Sequence, residues 1–70
     1  MKVLIIVEKT KTGYSAYSPD VDGCVATGTT RRQVERRMKR ALAFHFEGMG
    51  DDGNKPRRGV TYATYVDVAA

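Results

Sequence analysis

An α+β domain with the element order β-β-β-α-β is the fold class this 70-residue sequence predicts, and three observations carry it. Val3 to Val7 is an unbroken apolar run of strand length, and Tyr14 to Thr27 forms two short extended stretches around a Pro-Asp turn. From Arg31 to Met49 apolar residues recur at helical spacing, followed by a glycine-rich connection and an alternating stretch from Val60 to Val68. A crossover between parallel strands is almost always right-handed. The expected sheet order is therefore 3-2-1-4, with the last strand parallel to and beside the first and one helix packed on one face.

The first strand is expected over Lys2 to Glu8. A run without polar alternation implies burial on both faces, as in a central strand. One helix covers only one face of a small sheet. Either Leu4 and Ile6 or Val3, Ile5 and Val7 therefore need another cover, which a second copy of the chain would supply by forming a homodimer across the open face. The connection after the helix, folded over that face, is the alternative. Lys9 to Gly13 is a polar hairpin loop in which Gly13 suits a positive φ.

In the second strand Tyr14, Ala16 and Ser18 point to one side and Ser15 and Tyr17 to the other. Pro19 has no ladder donor, and Asp and Gly favour turns, so Pro19 to Gly23 is a loop before Cys24 to Thr27 resumes extended structure. Gly28 ends that strand. Thr30 with Gln33 three residues later has the form of a capping box, which places the helix start at Arg31. Val34, Met38, Ala41, Leu42 and His45 then share one stripe toward the sheet, with Arg32, Arg36, Lys39 and Arg40 on the opposite side. Phe44 and Phe46 flank the stripe, so at least one ring should be partly exposed unless a neighbour covers it. Gly48 to Gly59, with four glycines and a proline, ends the helix.

The run from Gly13 through Thr30, Gly-Tyr-Ser-Ala-Tyr-Ser-Pro-Asp-Val-Asp-Gly-Cys-Val-Ala-Thr-Gly-Thr-Thr, resembles the HicB-like antitoxin family, as do Phe44-His45-Phe46-Glu47-Gly48 and Asp52-Gly53. The resemblance implies one HicB-like domain over residues 1–70 with a truncated ribonuclease H-like fold, in a stand-alone short form without a C-terminal DNA-binding segment. It also implies a partner: a small HicA-type RNA-cleaving toxin with a catalytic histidine, whose active site the antitoxin covers. A blocking role needs a preformed complementary surface rather than reactive groups. The residues expected in it are Tyr17, Pro19, Asp20 and Asp22 at the turn and Arg32, Arg36, Lys39 and Arg40 on the helix.

Composition bounds the chemistry. With 41% hydrophobic and 29% charged residues the chain is globular, and no apolar run is long enough to span a membrane or form a signal-peptide core. One cysteine forms no internal disulfide, in keeping with a reducing, cytoplasmic setting. The formal charge is +4, and half of the twelve basic residues lie between Arg31 and Arg40. Such a face attracts polyanions. A small nucleic-acid-binding module using Arg32, Arg36, Lys39 and Arg40 is accordingly the competing reading, to which Tyr14, Tyr17, Tyr62 and Tyr65 could add stacking surfaces.

No catalytic residue, cofactor or metal site is expected. Cleavage by paired metal ions needs converging carboxylates, and Val3 to Val7 offers none. Cys24 and His45 could form a nucleophile and base. Cys24, however, starts an apolar strand and His45 lies on the core-facing stripe, and both read as packing residues.

Overall fold

The computed structural model describes residues 2–49 and 61–69. Strands β1 (Ile6–Lys9), β2 (Tyr14–Tyr17) and β3 (Val25–Gly28) form an antiparallel sheet in the order β1-β2-β3, and helix α1 (Arg31–Met49) follows. The first three strands therefore take the expected 3-2-1 arrangement, and the helix has the expected bounds.

The fourth strand is not formed. Thr61 to Ala69 has no regular structure, and Tyr62, Tyr65, Val66 and Val68 are 75–101% exposed; Val60 lies outside the described residues, as does the post-helix connection expected as an alternative cover. High β propensity makes a residue suit a pleated surface, but a strand persists only where a neighbour supplies ladder partners. Consistent with an undocked segment, the radius of gyration is 13.8 Å, against about 11 Å for a compact chain of this length.

The register pairs Ile6 with Tyr17, Val7 with Ala16 and Lys9 with Tyr14, and continues Ala16 to Ala26 and Tyr17 to Val25. Period-two alternation gives the sheet two unlike faces. Ala16 and Ser18 are buried under the helix, where Val3, Ile5, Val7, Tyr14 and Ala26 pack against Val34, Met38 and Leu42. Val34 and Met38 have no exposed surface, so each contributes about 1.5–3 kcal/mol of burial. On the other face Ile6, Tyr17 and Val25 form one cross-strand row.

β1 begins at Ile6 rather than Lys2 for a local reason. In the same register Leu4 would lie opposite Pro19, which has no N–H to donate. The Ser18 hydroxyl donates to the Leu4 carbonyl instead, at 2.8 Å, holding Leu4 beside the sheet without a ladder.

Two glycines work through close approach. A Cβ on Gly13 would collide with the Gly28 carbonyl oxygen, and one on Gly28 would lie 2.8 Å from the Val34 backbone nitrogen. Gly13 does not adopt the positive φ expected of it. Among the described residues only Gly23 does, at 81°.

The helix start is capped as the sequence implies, with one displacement. Thr30 Oγ1 accepts from the Gln33 N–H at 3.0 Å, but Gln33 Oε1 reaches back to Thr29, accepting from its N–H at 2.6 Å and its hydroxyl at 2.9 Å. The cap thereby ties the end of β3 to the first helical turn. No acidic residue stands in that turn, so Arg31 and Arg32 oppose the helix dipole.

Candidate functional site

The turn after β2 is built around one anchor. Val21 is 2% exposed, and its N–H points back to the Ser18 carbonyl at 3.5 Å. With Val21 held in the core and Gly23 in the left-handed region, Pro19 and Asp22 project into solvent and Asp20 is half-buried. Tyr17, 43% exposed, leads into this turn on the open face of the sheet. Val25, 70% exposed, stands beside it in the next strand. The result is an apolar row, Ile6 to Tyr17 to Val25, next to a turn carrying two carboxylates.

Arg32, Arg36, Lys39 and Arg40 are all exposed on the solvent side of α1. Lys39 stands on the flank of the helix that faces Val3 and Ile5, and Tyr17 points away from the helix. The eight residues expected to meet a partner therefore make two surfaces, an acidic-apolar one at the turn and the open sheet face and a basic one on the helix, not a single patch.

Val25 and Phe44 were absent from the expected surface. Phe44 is 78% exposed and, with Gly23, Cys24, Val25, Ala41 and His45, lines a shallow depression beside β3. The signal available was the pair Val25-Ala26: apolar residues in succession on an alternating strand put one of them on each face. Phe46, on the other flank, is half-buried against the core, with its ring at 75° to that of His45 and 5.7 Å away.

Cys24 and His45 do share that depression. Burial pushes the Cys24 thiol above its ordinary range, which disfavours the thiolate that a nucleophile requires. Its sulfur lies 3.9 Å from the Ala41 carbonyl, as a weak donor to a helix backbone. Among the described residues no three His, Cys, Asp or Glu side chains are grouped to hold a metal ion, and no helix is long and apolar enough to cross a membrane.

A family model described as "HicB_like antitoxin of bacterial toxin-antitoxin system" matches residues 3–68. The chain belongs to this HicB-like family. The match takes in the strands, the turn, the helix and the undocked segment after it. The HicB-like chain is also 33% identical over 63 residues to an uncharacterized 14.9 kDa protein in the rep-hol intergenic region of Haemophilus phage HP1 (strain HP1c1). The alignment covers 90% of this chain and 47% of the phage protein, so the chain spans about half the length of that relative. No solved structure matches.

Proposed function

We propose that this HicB-like chain is an antitoxin that acts by binding, as a cytoplasmic homodimer and without catalysis of its own, and that it neutralises a small HicA-type RNA-cleaving toxin by covering the active site. Membership of the family over residues 3–68 is the observation that carries this reading. The ribonuclease H-like arrangement belongs to the same proposal, supported by three strands in the expected order with the helix on one face.

The surface proposed for the toxin is the open sheet face and its adjoining turn: Tyr17 as a partly exposed aromatic anchor, Pro19 as rigid backbone, and Asp20 and Asp22 as charge. RNA-cleaving partners carry basic surfaces to hold their substrate. A chain of net charge +4 suits such a partner through its turn, where Asp20 and Asp22 stand apart in sequence from the six bases between Arg31 and Arg40. Complementary charge there would steer encounter and fix orientation, while Ile6, Tyr17 and Val25 supply the desolvated centre.

The second reading is the nucleic-acid-binding module. The observation favouring it is the simultaneous exposure of Arg32, Arg36, Lys39 and Arg40 on one helix face.

A pull-down from native cell extract, with and without nuclease, separates the two. The antitoxin reading expects a small basic protein retained in both conditions, inactive as a ribonuclease while bound and active once released. Tyr17→Ala and Asp20→Lys should each weaken that capture at least ten-fold. Retention of nucleic acid alone, lost in high salt, overturns the antitoxin reading and makes the helix face the binding site.

A further inference from the structure

The two edges of the sheet are unlike. Thr10 N–H donates to the Gly13 carbonyl at 2.8 Å, and alternation along the ladder then turns the backbone groups of Ile6 and Glu8 toward β2. The N–H and C=O groups of Val3, Ile5 and Val7 consequently face outward, where no other strand pairs with β1 among the described residues. At the opposite edge the outward Thr27 carbonyl accepts a hydrogen bond from Arg37 Nη1 at 2.9 Å. One edge carries a side chain on an outward carbonyl, and the other, among the described residues, has no strand against it.

Beside the open edge runs a groove of about 410 Å³ between α1 and the Val3–Ile5 stretch that leads into β1. Its apolar floor is Val3, Ile5, Leu42, Ala43 and Phe46, with Glu35 and Lys39 at the rim. Its lining suits one strand: a row of outward backbone groups beside apolar side chains that alternate residues could meet. The chain carries a segment of that description in Thr61 to Val68, where Tyr62, Thr64, Val66 and Val68 alternate with Thr61, Ala63, Tyr65 and Asp67. In this chain the segment lies outside the groove, with Tyr62, Tyr65, Val66 and Val68 75–101% exposed.

We propose that Thr61 to Val68 of a second copy docks along β1, with Tyr62, Val66 and Val68 in the groove, and that the exchange is reciprocal. Residues 50–60, eleven in all, reach at most about 40 Å, enough to deliver the segment to a neighbouring molecule. A two-fold arrangement makes the same contact twice from one complementary pair of surfaces, so each copy's open edge and exposed strand are satisfied together. The inference rests on the homodimer part of the proposed function and not on the toxin. It seats the second copy at the edge and leaves the open face with Tyr17 and Val25 free for a different partner.

The test places a benzoylphenylalanine photocrosslinker at position 66 of the full chain and irradiates a mixture of isotopically light and heavy protein after exchange. Sedimentation of the same samples fixes the oligomeric state. The expected result is a dimer whose mixed light–heavy links join position 66 to the Val3–Val7 peptide or to the helix around Phe46, together with at least ten-fold weaker dimerisation in Val66→Asp. Links to those peptides only within one chain, or a dimer linked elsewhere, overturn the exchange but leave the homodimer standing. A monomer at all concentrations overturns both. Toxin capture is read separately and is untouched by either outcome.

Discussion

At the scale of single residues, two glycines with different duties give the sharpest expectation. Gly28 has no room: a Cβ there meets helix backbone at Val34, and backbone does not step aside as a side-chain tip would. Gly28→Ala should cost about 1–3 kcal/mol, the range for overpacking a tight contact. Gly23 has open space around it but a φ of 81°. Gly23→Ala should cost about 1 kcal/mol through strain alone, and Gly23→Asn should restore much of it because asparagine tolerates that region. Urea midpoints followed by circular dichroism distinguish the two cases. Neither duty was legible in the chain. Gly13 looked like the glycine needing a positive φ because it closes a hairpin, whereas its real constraint comes from Gly28, fifteen residues further on, and contact across such a distance leaves no local pattern.

The helix is the element the sequence describes most fully. Its stripe, its start at Arg31 and its end near Met49 follow from periodicity, a Thr-Gln cap and a glycine run, all of which are local. The first three strands were legible for the same reason, since alternation and turn residues act within a few positions. The segment after Val60 shows the limit, because alternation states what a stretch can become while pairing depends on who stands beside it. The candidate surface divides similarly: turn residues announce themselves by type, while Val25 and Phe44 required knowing which face the helix leaves bare. At this scale Thr30→Ala should lower stability by about 1 kcal/mol through loss of the cap. Arg31→Glu should raise it by about 0.3–1 kcal/mol by reversing an unfavourable dipole contact, and less at high salt. Thermal unfolding in low and high salt reads both.

For the whole molecule, the amount of core sets the behaviour. Among the described residues the buried side chains are Ala16, Ser18, Val21, Cys24, Val34, Met38 and Leu42, a small cluster. With a reciprocal dimer, folding and association become one equilibrium. Each ten-fold rise in protein concentration should then add about 1.4 kcal/mol per dimer and move the unfolding midpoint upward; calorimetry across two decades of concentration would show it, and an unmoving midpoint would mean the body folds alone. Charge is uneven at the same scale, with two acids and no base in the Pro19–Gly23 turn and six bases against two acids along the helix, so +4 describes neither surface.

The hydrogen bond from Arg37 to the Thr27 carbonyl bears on a hazard shared by all small sheets. A sheet with two bare margins is a repeating unit, able to stack end upon end into a fibre. Here a guanidinium sits on one margin as a chain stopper. If the open margin takes a strand as proposed, the margin held by Arg37 offers the next molecule no equivalent place, and the pairing has no reason to repeat.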